Sequence, residues 1–244
     1  MKGKLGLLAI CLCITTKSAF GQTVQADLGV GANNGILCQQ TPGPSATAPV
    51  TVSCPTVTWN DGSGNFGSGS GTATASYGVL QSFATAETTA TVSSGASGVG
   101  TATTTGTSFT DSLTFPTLSV NASLQATLTL SGSASAGPAS SVLANVNLNG
   151  NGFAQCNITA STGGSCFISI PVSPGDQVSV NGNLNSNAST NIAPNSTGSD
   201  SATLNYNSKK SFGAQYAFVI VDASGKAISG VKIEAASGTR YRTH

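Results

Sequence analysis

Hydrophobic and polar positions alternate with period two along most of this chain. The clearest case is the stretch from Thr107 to Leu148. Phe109, Leu113 and Phe115 fall on one face of its first run, with Asp111 among them. Leu124, Ala126, Leu128 and Leu130 share a face of the second, against Gln125, Thr127 and Thr129. Ala144, Val146 and Leu148 alternate with Asn145 and Asn147 in the third. Strict alternation predicts strands with one dry and one wet face. That pattern fits an antiparallel sheet better than a buried parallel one.

The same period recurs on both sides. A short strand is predicted between Gln22 and Gly35, and Ala73, Ala75, Tyr77 and Val79 alternate with Thr72, Thr74 and Ser76. The next part is rich in Ala, Thr and Ser. Small side chains suit closely packed inner faces, and Thr suits an uncharged outer face. Asn149 to Gly152, NGNG, is a hairpin turn, because Asn-Gly accepts positive φ. Phe153–Ile158 and Ser165–Val172 are predicted to form a hairpin, and SPGD, Ser173 to Asp176, turns the chain into a strand ending at Leu184. Ala202, Leu204 and Tyr206 lead to a charged break at Lys209-Lys210. Phe212–Val221 is the most hydrophobic strand after the N-terminus, and Ala227–Ala235 is expected to return beside it and close the sheet. Ten to twelve short strands with close turns predict an all-β, antiparallel, jelly-roll-like β-sandwich, with residues 22–244 as a single domain.

Composition adds a compartment. Only 7% of the 244 residues are charged, and Ser, Thr, Asn and Gly stand where charge is missing. Met1 to Gly21 has Lys2 and Lys4, an apolar run from Leu5 to Ile14, and Ala19-Phe20-Gly21. That is the order of a signal peptide, residues 1–21, with cleavage expected after Gly21. The apolar run is short of the ~20 residues a spanning helix needs. Cleavage removes three lysines, so the nine basic residues fall to six against eight acids, a net −2. No basic face remains for nucleic acid, and no later apolar segment reaches spanning length. The mature chain is therefore expected to be secreted.

Cleavage also removes Cys11 and Cys13, leaving Cys38, Cys54, Cys156 and Cys166. An even count in an exported chain reads as disulfides. Of three pairings the two local ones are expected. Cys156 and Cys166 flank the turn-rich NITASTGGS, and Cys38 and Cys54 bracket a Pro-rich region read as a tied loop with short edge strands. Zinc is disfavoured by the spacing, and the only His is His244.

Candidate chemistry is sparse. A Ser-His-Asp or Cys-His pair needs an internal His, and no Gly-rich loop opens a helix to hold phosphate. A glycosidase needs two facing carboxylates. The acids are Asp27, Asp61, Glu87, Asp111, Asp176, Asp200, Asp222 and Glu234. Asp111 is the unusual one, because it shares parity with Phe109 and Leu113 and a buried carboxylate needs partners. A strand-end or edge position, capping backbone N–H groups, is expected for it. Asp61, Ser63 and Asn65 are spaced like oxygen ligands of a calcium loop, without the carboxylates and terminal Glu of a full one. Trp59, Tyr77, Tyr206 and Tyr216 are candidate ligand-binding rings for stacking on sugars. A large ring is worth most when buried, so Trp59 is expected over the rim of the core.

Several segments together resemble bacterial exported β-sandwich proteins of the exosortase-sorted, PEP-CTERM type. They are GTATASYG at Gly71–Gly78, TSFTDSLTF at Thr107–Phe115, LQATLTLSGSASA at Leu124–Ala136, and VIVDASGKAISGVKIEAASGTRY at Val219–Tyr241. The resemblance implies export and a jelly-roll-like sandwich, and brings no catalytic residues. That class continues past its SG-x-x-Y element into a Pro-Glu-Pro motif, an apolar helix and a basic tail. Here the sequence ends Arg242-Thr243-His244, so secretion without a sorting tail is expected. The N-x-S/T sites at Asn121, Asn157, Asn187 and Asn195 are expected to stay unmodified in a bacterium. The expected function is that of a secreted, non-catalytic structural or adhesive protein without a cofactor. Its partners would be extracellular polysaccharide, matrix or other copies of the chain. A carbohydrate-binding module is the alternative, and a secreted glycan hydrolase a third reading.

Overall fold

A computed structural model describes residues 22–33, 35–91, 95, 97–135, 140–159, 163–205 and 213–243. The expected signal peptide, Tyr206, Lys209-Lys210 and Phe212 lie outside the described residues. Among the described residues the protein is all-β, with two antiparallel sheets packed face to face.

The strands are β1 (Thr23–Ala32), β2 (Gly35–Gln40), β3 (Val50–Asn60), β4 (Asn65–Ser76), β5 (Val79–Ala90), β6 (Gly98–Thr114), β7 (Ala122–Ser131) and β8 (Ser133–Ser135). Then follow β9 (Ser141–Asn149), β10 (Phe153–Ile158), β11 (Gly164–Val172), β12 (Gln177–Ile192), β13 (Gly198–Asn205), β14 (Gly213–Val221), β15 (Glu234–Ala235) and β16 (Arg242–Thr243). The first sheet runs β10-β9-β12-β6-β1-β2, and β15 takes the place beside β6 that β1 leaves. In the second, β11-β7-β14-β5-β4-β3 is extended by β13 and β8, so β13 and β14 share one slot along β5. Among the described residues sixteen strands exceed the expected ten to twelve, because short pairings such as β8, β15 and β16 add to the longer runs.

The alternating runs bury the faces the pattern predicts. Leu124, Ala126, Leu128, Leu130, Ala144, Val146, Leu148, Phe109 and Leu113 are all buried. One end of the interior is aliphatic and aromatic. The other is lined by Ala84, Ala86, Ala102 and Ala188, with buried Ser82, Thr88, Ser186 and Thr190. There the sheets approach closely, since a Cβ on Gly69 would stand 2.7 Å from Val30 Cγ1 and one on Gly71 2.8 Å from Leu28 Cδ1. The buried hydroxyls bond across the gap. Ser186 donates to Ser82 at 2.9 Å, and Thr88 and Thr190 lie 2.6 Å apart. Thr190 gives its hydrogen to Gly100 O, so Thr88 is the donor of that pair.

Both expected disulfides are present, but neither ties a simple loop. Cys38 of β2 joins Cys54 of β3, with Cα atoms 5.9 Å apart. Cys156 of β10 joins Cys166 of β11, at 6.3 Å. β2 and β10 are the two edges of the first sheet, and β3 and β11 are edges of the second. Each cystine therefore staples the two sheets together at one side of the sandwich. The expected Phe153–Ile158/Ser165–Val172 hairpin does not form, because β10 pairs with β9 and β11 with β7. Alternation explains the outcome: Cys156 shares its inward face with Ala154 and Ile158, and Cys166 with Ile168, so the sulfurs meet between the layers. β3 is an eleven-residue strand, longer than the short edge strand expected, and a bulge between Cys54 and Val57 accommodates Pro55.

Two further expectations are corrected. Tyr77 is not on a strand face but in the β4–β5 turn, where Gly78 has φ +77. Ala227–Ala235 does not return as a strand. After the Asp222–Gly225 turn, pairing with β14 lasts only through Ala227 and Ile228. The chain then leaves the second sheet, held by Thr117 through Gly230 O and Lys232 N, and joins the first sheet as β15. It returns to the second as β16, parallel to β14. The C-terminal segment is a strap across the sandwich end.

Replacing either cystine by two alanines is expected to lower stability by about 3 kcal/mol, the loop-entropy value for closures of this length. Denaturant midpoints check this, and an unchanged midpoint would deny the staples a role. Gly182 faces inward under two rings, where a Cβ would stand 2.2 Å from Phe109 Cε1 and 2.6 Å from Tyr216 Cζ. Gly182→Ala is expected to cost about 1–3 kcal/mol by overpacking, measured the same way.

Candidate functional site

The outer face of the first sheet is the most distinctive surface. Residues directly opposite in neighbouring strands point to the same side. One row runs Gln155, Asn147, Asn181, Thr110, Thr23 across β10, β9, β12, β6 and β1. The next runs Asn157, Asn145, Asn183, Ser108, Gln25. A third runs Phe153, Asn149, Ser179, Ser112. All three rows are amides, hydroxyls and one exposed ring, without charge. Part of the array is self-bonded: Thr110 donates to Asn181 Oδ1 at 2.7 Å, Thr103 to Asn187 Oδ1 at 2.9 Å, and Gln155 to Asn157 Oδ1 at 3.0 Å. The side-chain oxygens of Asn145, Asn147 and Asn183 are covered and have no protein donor.

Two hollows open on this face. One, about 340 Å³, lies over β1 and is floored by Gly29 and Gly31, with Asp27 and Thr103 beside them. Asp27 Oδ2 accepts from Gln25 Nε2 at 2.7 Å, while its buried Oδ1 has no partner. The other, about 330 Å³, is lined by Ser112, Asn149, Gly150, Asn151, Gln177 and Ser179. Asn151 is fixed by donating to Asp176, whose Oδ2 also accepts Ser173 N–H at 2.6 Å. Ser112 is buried at its floor and its hydroxyl has no partner. Phe153, 67% exposed, stands beside it, opposite Asn149.

Asp111 sits inside central strand β6, not at a strand end or an edge, and is 1% exposed. Its Oδ1 accepts the N–H groups of Ser112 at 2.8 Å and Ser237 at 3.1 Å. Its Oδ2 accepts the hydroxyls of Ser237 at 2.5 Å and Tyr241 at 2.6 Å. The carboxyl thus anchors the strap. The Tyr241 ring packs edge-on against Phe218 at 4.8 Å and lies 6.2 Å from Phe109. Burial first, then Asp111, raises the Tyr241 phenol far above its usual range. Neither a ligand nor a second carboxyl group is needed to account for Asp111.

The candidate rings are distributed differently from expectation. Tyr216 is buried, so it is not a sugar platform. Its ring packs edge-on to Phe109 at 4.8 Å, and its hydroxyl donates to Asn145 O and Asn183 O. Burial also raises its phenol strongly. Tyr77 is half-buried, 6.5 Å from Phe109, and its hydroxyl donates to Ala46 O; burial and then Asp111 raise its phenol. Trp59 shares the inward parity of Val57 and closes the rim of the interior over Gly67, where a Cβ would be 2.9 Å from the indole. The structure does not gather these rings into one surface. Among the described residues the exposed rings are instead Phe66, Phe153 and Phe167. For Phe167 the signal was present in the sequence: it lies between inward Cys166 and Ile168, so alternation turns it outward.

The Asp61 loop is closed on itself. Oδ1 accepts Ser63 N–H at 2.7 Å and Asn65 N–H at 3.2 Å, and Oδ2 accepts Asn65 Nδ2 at 2.7 Å and Asn33 Nδ2 at 3.2 Å. These bonds, the Asn65 side chain foremost, hold its carboxyl below the usual range. Calcium would have to displace those donors. Among the described residues, no group of three or more His, Cys, Asp or Glu side chains could hold a metal, and no helix is long and apolar enough to cross a membrane. The two cystines indicate an oxidising, extracellular-type environment. Comparison with protein-family models, characterised proteins and solved structures finds no match.

Tyr241→Phe leaves Asp111 one donor short and is expected to cost about 1–3 kcal/mol. The raised Tyr241 phenol gives a pH signature. Its neutral form contributes fully below the ordinary phenol value near 10. Above it the unfolded chain ionises first, so stability falls as pH rises toward the folded value. Denaturant midpoints across alkaline pH check this: Tyr241→Phe should show a shallower decline, and equal slopes would contradict it.

Proposed function

We propose that this is an exported, non-catalytic structural or adhesive protein of a bacterial cell surface or extracellular matrix. The single observation that carries the reading is the set of uncharged amide and hydroxyl rows, up to five strands wide and with Asp27 to one side of them, on a sandwich stapled at both edges. Such a face offers dense hydrogen bonding without a field that selects nucleic acid or charged lipid. The leader-like residues 1–21 and the resemblance to exosortase-sorted proteins support export. Partners of matching chemistry are extracellular polysaccharide, matrix polymers or other copies of the chain. Secretion of a carbohydrate-binding module is the second reading, favoured by Phe153 beside its amide hollow rather than by Trp59, Tyr77 or Tyr216.

Fractionation of producing cells tests the reading. The chain is expected to begin at Gln22, to lie in the surface or matrix fraction with both cystines intact, and to turn over no glycan, ester or peptide substrate. A cytosolic chain that retains residues 1–21, or measurable hydrolysis, overturns it.

A further inference from the structure

We propose that the outer face of the first sheet binds a neutral polysaccharide across its strands, with Phe153 as the stacking platform and the Asn149–Gln177 hollow as the adjoining sugar site. This rests on the adhesive reading above and gives it a ligand class.

Three observations converge on that corner. First, Phe153 is exposed at the sheet edge, and a bare ring face suits the C–H face of a pyranose. Second, the 330 Å³ hollow beside it falls in the size range of small-ligand sites, and its walls are amides and hydroxyls. Neutral sugars present equatorial hydroxyls, each both donor and acceptor, which amides match in pairs. Third, the site is preformed. Asn151 is pinned by Asp176, and Asn149 and Ser179 are held by the ladder between β9 and β12. Preorganisation reduces the ordering cost of binding.

The rows extend the site into a track. From Phe153 the line Asn149, Ser179, Ser112 crosses four strands at about 4.8 Å each. The parallel rows through Asn147 and Asn145 repeat it. The side-chain amides of Asn145, Asn147 and Asn183 stand in these rows half-buried, with their oxygens covered and without a protein donor. The rows carry no charge, so a uronate or sulfated polymer gains nothing there over a neutral one. Phe167, equally exposed, faces outward from the second sheet, opposite Thr127; the hollow on that side is lined by Tyr77, Thr127, Thr129, Gln215 and Tyr241 and carries the charge of Arg240, so it lacks the neutral amide rows.

Affinity electrophoresis of the chain from Gln22 onward tests this, in gels containing xylan, mixed-linkage β-glucan, galactomannan, dextran or alginate. Retardation is expected in at least one neutral gel and is expected to persist at raised salt. Phe153→Ala and Gln177→Ala should each weaken it about tenfold, the loss of roughly one good contact. Phe167→Ala should leave it unchanged. Both phenylalanines are exposed, so the variants keep the fold, and circular dichroism verifies that. No retardation in any neutral gel, retardation unaffected by Phe153→Ala, or binding to alginate alone that salt abolishes would each overturn the site. So would sedimentation showing that Phe153→Ala instead breaks an oligomer. If the chain still partitions to the matrix fraction while neutral gels fail to retard it, this site is wrong and the adhesive reading survives. If it is also absent from that fraction, both fail.

Discussion

The sandwich depends on being closed covalently along both of its sides. Two stacked sheets have four open edges, and open edges invite pairing with other chains. Here the edges are joined two by two, β2 to β3 through Cys38–Cys54 and β10 to β11 through Cys156–Cys166. The need is greatest where the interior is thinnest. Ala84, Ala86, Ala102 and Ala188 bury little area, and hydrophobic stabilisation scales at roughly 25 cal/mol per Å² of apolar surface. Small inner residues let the layers approach, and Cys38–Cys54, two strands from Ala84, fastens that end, while Cys156–Cys166 fastens the end filled by Val146, Leu128 and Tyr216. The outer faces are then free of any duty to hold the fold.

The open end is closed by a different device. The chain leaves β14, crosses to β6 as β15 and returns as β16, so one strap touches both layers. It is fastened at Asp111, which brings four hydrogen-bond acceptor contacts to one point inside the central strand. A carboxyl group buried without partners would cost several kcal/mol. With Ser237 and Tyr241 in place it becomes a specific address for the C-terminal segment. Tyr241, Phe109, Tyr216 and Phe218 fill the space around it, Tyr216 edge-on to Phe109, Tyr241 edge-on to Phe218 and tilted over Phe109.

Much of this was legible in residue order. The runs through Leu124–Leu130 and Ala144–Leu148 declared their buried faces, and the cystine pairing followed from proximity in sequence. What alternation does not encode is which sheet a strand joins. Cys156 and Cys166 lie ten residues apart, and nothing in NITASTGGS says that the chain changes layer there rather than turning back. The strap was missed for a related reason. Val231 and Ile233 have strand-like spacing, yet they lie outside any strand, and the strap pairs only from Glu234, with central strand β6 of the other layer. Asp111 stood out by parity, but its donors are 126 and 130 residues away, beyond any local pattern. Tyr216 was misplaced as a surface ring although its parity with Phe218 and Ile220 already turned it inward.

The proposed binding surface is the part of the molecule that folding leaves over: rows of Asn, Gln, Ser and Thr set in register by the ladders beneath them. Their side-chain amides can be observed one by one. Titration of the isotope-labelled chain with a soluble neutral polysaccharide, followed through the Asn and Gln NH2 resonances, is the most direct test of this account. Shifts concentrated at Asn145, Asn147, Asn149, Asn181, Gln155 and Gln177 are predicted. Shifts confined to Gln125 and Gln215 on the second sheet, or none at all, would contradict it.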